Sequence, residues 1–144
     1  MRAAWKGHVE AVRLIIDREK ACVLEVDSDG ATALHYAALG GDPEASNDRW
    51  LSRSSVIYQI ARAPLFINPD DIEVEPVDSA GWTPLMIAAA AGHANAVRAL
   101  IRLGARPNFS AAYGKSPLSL AIEGGHEEVV RVFQEEATLH GYEL

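Results

Sequence analysis

A chain of 144 residues has room for one compact domain or one short array of repeats. With 49% of its residues apolar and 23% charged, it holds enough apolar material for a continuous core in an otherwise ordinary soluble protein. The formal net charge of -7 argues against a nucleic-acid backbone as partner and suits a protein partner with a basic surface.

From the N-terminus, Met1-Arg2-Ala3-Ala4-Trp5-Lys6 carries no apolar segment behind its positive charge. No signal peptide is expected, and the cytoplasm or nucleus is the expected location. Gly7-His8 follows, then a helix with Cys22 near its end. As the single cysteine, Cys22 forms no intrachain disulfide, which fits a reducing compartment; it reads as a small buried hydrophobe rather than a nucleophile. Next comes Asp27-Ser28-Asp29-Gly30-Ala31-Thr32-Ala33-Leu34-His35-Tyr36-Ala37-Ala38: a polar turn, a hydroxyl suited to cap a helix, and an apolar helix closed by Gly41.

Asp42 to Asp48 reads as a polar loop. Arg49 to Ala63 predicts a helix, because Trp50, Ser54, Ile57 and Ala61 share one face, and Pro64 stops it. Asn68 to Pro76 is acidic and punctuated by proline. Its charges, with Asp78, make either a solvated loop or a docking patch for a basic partner. In Gly81-Trp82-Thr83-Pro84-Leu85-Met86-Ile87-Ala88-Ala89, Thr83 caps a helix, Pro84 suits the first turn, Leu85 faces the core, and Gly92 ends the helix. The longest apolar run, Leu85 to Ala91, is too short to span a bilayer, so no membrane insertion is expected. Asn95 to Ile101 predicts a second helix that ends at Gly104. Gly114-Lys115-Ser116-Pro117-Leu118 opens the same pattern again, with Gly125-His126 ending the first helix.

Gly81 and Gly114 stand 33 residues apart, and Gly30, Gly81 and Gly114 are each followed eleven residues later by a second glycine. Ala3-Ala4-Trp5-Lys6-Gly7-His8 is a fourth copy that lacks its opening. Gly41 to Gly81 spans 40 residues against 22 from Gly92 to Gly114, so the second copy carries 18 extra residues. The period and the Thr/Ser-Pro-Leu opening resemble the ankyrin family. The resemblance implies an all-α solenoid of stacked helix–loop–helix units with short β-hairpin protrusions. It divides the chain into a partial unit 1–26, a unit 27–77 with the insertion, a unit 78–110 and a C-terminal cap 111–144. One unit cannot bury its own apolar face, so the units share a core. The truncated first unit fits either a fragment of a longer protein or a degenerate cap.

The resemblance also implies the function: a monomeric, non-catalytic scaffold that binds a partner protein across its concave face. The hairpin tips would contribute Ser28, Asp29, Ala31, Ser79, Ala80, Trp82, Ala112, Tyr113 and Lys115, and the inner helices Trp5, Lys6, Leu39, Ala90, Ala91 and Glu123. Trp82 and Tyr113 are aromatics of the kind enriched at binding hot spots, although Trp82 alternatively packs on the next hairpin. His8, His93 and His126 would bridge neighbouring loops rather than bind metal, and no His/Cys/Asp grouping has zinc spacing. No nucleophile elbow, phosphate loop or dinucleotide fingerprint is present, so no catalytic residue and no cofactor is expected. The runs Asp27 to Ala37 and Asp78 to Ala88 are similar to the early repeats of gankyrin-type proteasome assembly chaperones, a likeness that carries Asp29 and Trp82 as contact residues. An alternative is a regulatory ankyrin segment of a larger enzyme or channel.

The segment 64–77 combines prolines with like charges and few apolar anchors, so limited proteolysis is expected to cut there before any other internal site. First cleavage inside a regular repeat would contradict that reading.

Overall fold

The computed structural model describes residues 1–18, 25–41, 56–62, 75–109 and 114–141. Trp50, Ser54, Pro64, Asp70, Asp71, Glu73, Cys22, Ala112 and Tyr113 lie outside them, as does most of the proteolysis segment. The described residues form α1 (Arg2–Trp5), α2 (Val9–Arg18), α3 (Ala33–Gly40), α4 (Val56–Arg62), α5 (Pro84–Ala91), α6 (Ala94–Arg102), α7 (Pro117–Glu123) and α8 (Glu127–His140). They contain no strand; the two described tips are tight turns rather than paired strands.

The helices stack as four pairs in two rows. α1, α3, α5 and α7 form an inner row, each packed on the next; α2, α4, α6 and α8 form an outer row, and each outer helix packs on the inner helix before it. Small side chains set the inner spacing. Ala37, Ala38, Ala88, Ala89 and Ala121 are 0–1% exposed, and the backbone of Trp5 passes so close to Gly40 that a Cβ there would collide with the Trp5 carbonyl. The core runs continuously through all four pairs, from Ala4 and Ile16 through Leu34, Ile57 and Leu85 to Leu100, Val129 and Phe133. Ile57 and Ala61, expected on one helical face, are both fully buried.

α5 and α7 begin as their sequence dictates. Thr83 Oγ1 accepts the Met86 N–H at 3.3 Å, and Pro84 occupies the first turn. Ser116 and Ser119 cap reciprocally: Ser119 N–H donates to Ser116 Oγ at 3.2 Å and Ser116 N–H to Ser119 Oγ at 2.9 Å. At the far end, Gly41 and Gly92 take φ of +88° and +80°, and a Cβ on either would also strike the ring of His93 or His126. α7 departs from expectation: its cap is Gly124 in right-handed geometry, and the positive φ falls one residue later, on Gly125.

Leu34 and Leu85 are 2% and 1% exposed, whereas Leu118, expected in the core with them, is only half-buried at its edge. It belongs to the last pair, and no pair follows in the structure to cover that side. Leu85→Ala is therefore expected to cost about 2–5 kcal/mol in chemical denaturation, and Leu118→Ala measurably less. A loss under roughly half a kcal/mol for Leu85 would show the packing to be wrong at its centre, since a buried leucine truncation costs several times that.

Candidate functional site

Two tips project from the inner row, and an aspartate builds each. Asp27 Oδ1 accepts the N–H groups of Asp29 and Ala31 at 2.9 Å each, and Asp78 Oδ1 accepts those of Ala80 and Trp82 at 3.0 and 2.9 Å. This folds four residues around one carboxylate. Tyr36 Oη donates to Asp27 Oδ2 at 2.6 Å. That bond, followed by the Ala31 N–H, holds the Asp27 carboxyl below its ordinary pKa, and the same bond raises the Tyr36 phenol.

The tips are tied together. The Asp29 carbonyl accepts both the N–H (2.9 Å) and the hydroxyl (2.7 Å) of Ser79. Beneath them lies His35, 1% exposed. Thr32 N–H donates to His35 Nδ1 at 3.1 Å, so Nδ1 is the acceptor and Nε2 carries the proton, which it gives to the Trp82 carbonyl at 2.8 Å. Burial is the main cause that holds His35 below the ordinary histidine pKa. At the opposite end of the inner helices, His93 Nε2 bonds the Leu39 carbonyl at 3.0 Å and His126 Nε2 the Ala90 carbonyl at 2.9 Å. These histidines clamp the third pair to the second and the fourth to the third. Among the described residues, no group of three or more His, Cys, Asp or Glu is placed to hold a metal ion.

On this frame the inner face carries one register position on all four helices: Trp5, Leu39, Ala90 and Glu123. Trp5 is 49% and Leu39 43% exposed. Ala90 is half-buried, and Glu123, exposed, pairs with Lys115 at 3.1 Å. Lys6, Ser28, Asp29, Ser79, Ala80 and Ala91 are also exposed, while Ala31 is half-buried. Trp82 stands apart from the other tip residues: it is half-buried and packs, with Ala90 and Phe109, on Met86 and on Leu120 of the last pair. It is thus at least partly a packing residue.

Phe109 and Arg106 escaped the sequence reading. The Arg106 guanidinium lies 5.2 Å from the Phe109 ring centroid, and its Nε donates to Glu75 at 2.7 Å. Glu75, expected to steer a basic partner, is thus engaged within the fold, as is Asp78 in its turn. Nothing in the sequence signals a pair 31 residues apart.

A family model described as ankyrin repeats, in three copies, matches residues 57–140, and a second, ankyrin repeats in many copies, matches 1–46. The chain is 30% identical to Protein phosphatase 1 regulatory subunit 27 of Homo sapiens over 129 residues, 90% of this chain and 71% of that protein. It is 30% identical to NF-kappa-B inhibitor zeta of Bos taurus over 114 residues, 79% of this chain but 14% of the relative's length. It is 29% identical to a Transient receptor potential cation channel subfamily A member 1 homolog of Caenorhabditis elegans over 125 residues, 87% of this chain and 9% of that protein.

The buried, neutral His35 gives a pH prediction. Its folded pKa lies below the unfolded 6.5, so its contribution is intact above 6.5 and is lost as pH falls through the lowered folded value, because the unfolded chain takes up the proton first. The thermal midpoint is expected to drop between pH 7 and pH 5. His35→Met, the residue of the third pair at the equivalent position, should flatten that drop. An unchanged pH slope in His35→Met would remove His35 from the account.

Proposed function

The chain belongs to the ankyrin-repeat family, and on that premise we propose that it is a non-catalytic scaffold that binds another protein across the face bearing the tips and the inner helices. The observation that carries this reading is the exposure of Trp5 and Leu39 at equivalent positions of consecutive inner helices. Two large apolar side chains, about 8–10 Å apart by the usual spacing of packed helices, offer anchors that no neighbouring pair covers. The exposed tip residues Ser28, Asp29, Ser79 and Ala80 would supply the polar rim. Lys115 and Glu123 would close the groove at its far end; Ala112 and Tyr113, expected partner contacts from the sequence, lie outside the described residues. The unit boundaries 1–26, 27–77, 78–110 and 111–144 belong to the same proposal.

A partner with a basic surface is supported by the net charge of -7 and by Asp29. The proteasome-assembly-chaperone-like version of the scaffold rests on the likeness of Asp27 to Ala37 and Asp78 to Ala88 alone. The second reading, a regulatory segment of a larger enzyme or channel, is supported by the match to 9% of the worm channel homolog.

The test is affinity capture followed by titration of the captured partner. Trp5→Ala and Leu39→Ala are each expected to weaken binding by roughly 1–4 kcal/mol, with little loss of thermal stability because both side chains are about half exposed. Trp82→Ala should reduce stability as well as affinity. Undiminished affinity in the Trp5 and Leu39 variants, with loss instead on Glu128→Ala of the outer row, would move the binding surface to the opposite face.

A further inference from the structure

Exposed apolar side chains on the face of tips and inner helices form two rows rather than one. The helix row is Trp5 and Leu39. The tip row is Val26 and Val77, which each stand one residue ahead of the aspartate that builds a tip and are 59% and 52% exposed. The two tips touch, because the Asp29 carbonyl holds the Ser79 N–H and hydroxyl, yet that contact covers neither valine. Single exposed apolar residues are ordinary on a protein surface; large ones that recur at equivalent positions of consecutive units, on helices and tips alike, mark a surface to be covered. Neither row continues into the fourth pair. The helix row has Glu123 there, held by Lys115, and the sequence places Ser110, outside the described residues, at the valine position. Charge is sorted along the same face. Arg2 and Lys6 are exposed on the helix of Trp5, and Glu25 and Asp29 are exposed around Val26. Among the described residues, no ion pair engages any of these four.

We propose that the partner segment is an amphipathic α-helix laid along the stack from α1 to the third tip, acidic at its α1 end and basic on its tip side. This rests on the scaffold reading of the same face and names what that face takes. Spacing is the first argument. Packed helices stand about 8–10 Å apart, and residues seven apart on a helix are separated by about 10.5 Å. One position of a seven-residue repeat therefore meets Trp5 and Leu39 in turn, and a second position, three or four residues on, meets Val26 and Val77. A β-extended segment repeats on one side every 6–7 Å or so, out of step with the units. The second argument is the backbone. A polyproline segment also keeps step, at about 9.3 Å for every third residue, but it has no internal hydrogen bonds. Between two apolar rows its carbonyls would lose water without a partner, whereas a helix satisfies its own. Charge supplies the third: acidic residues answer Arg2 and Lys6, and basic residues answer Glu25 and Asp29. Two unit spacings correspond to about 11–13 residues of helix.

The test offers the whole chain two displayed peptide libraries. One is built on helix-forming heptads with apolar residues varied at the first and fourth positions, the other on proline-spaced extended sequences; charged positions in both are open to either sign. Selection is expected to return helices, acidic at one end and basic along one flank. Val26→Ser with Val77→Ser should weaken a selected helix by roughly tenfold or more, with the thermal midpoint unchanged because both side chains are mostly exposed. Truncating the tip-facing apolar residues of that helix to Ala should weaken its binding to the unaltered chain to the same extent. Binders drawn from the proline library alone, or helices indifferent both to the valines and to their own tip-facing residues, would overturn the helix while leaving the scaffold reading in place if Trp5→Ala and Leu39→Ala still weaken them. No binder from either library, or binders indifferent to Trp5 and Leu39 as well, would bring down both.

Discussion

Everything in this molecule follows from one constraint: a short helix pair has no interior of its own. α5 and α6 together hold seventeen residues, and the face they bury, Leu85, Ala88, Ala89, Val97 and Leu100, is dry only because pairs stand on both sides. The specific polar links all serve that contact. His93 and His126 bond backward to inner-helix carbonyls, His35 bonds forward to the next tip, and Ser79 bonds back to Asp29. The His35 and His126 links satisfy groups that stacking partly takes from water, while the Ser79 and His93 links tie neighbouring pairs together at the surface.

The last pair adds a second kind of link. Glu136 is 1% exposed and reaches Arg102 and His140 at 3.1 Å each, with Arg98 Nε at 3.8 Å; Arg98 also holds Glu135 at 3.1 Å. A carboxylate taken so far from water is tolerable only with partners of opposite charge. This clasp binds α6 to α8 at the end of the core, where the apolar contact thins out. The same thinning leaves Leu118 half-covered and Ile122 61% exposed, at the position where Ala38 and Ala89 are fully buried.

The repeat was legible because its residues act locally. Thr83-Pro84 and Ser116-Pro117 start helices, Gly41 and Gly92 end them, and the 33-residue period declares the stack. What the sequence concealed is long-range. Glu75 stood in an acidic stretch that read as a solvated loop or a docking patch, yet it is bound to Arg106; Glu136, which no local pattern singles out, is buried. Trp82 read equally well as hot spot or packing, because its place in the repeat says that it lies at a tip but not that Met86 and Leu120 lie beneath it. Of the candidate binding positions, Trp5 and Leu39 gained most from the structure, since their register on consecutive inner helices is what makes a surface of them.

The account's central claim is that each pair is held by its neighbours, and amide hydrogen exchange of the native chain tests it most directly. Pairs covered on both sides should be the hardest to open. Protection should peak in α5 and α6 and fall toward α1 and α2, whose outer side is bare. Protection in α1 and α2 equal to or above that in α5 and α6 would contradict it, because a pair packed on one side only would then be held as firmly as a pair packed on both.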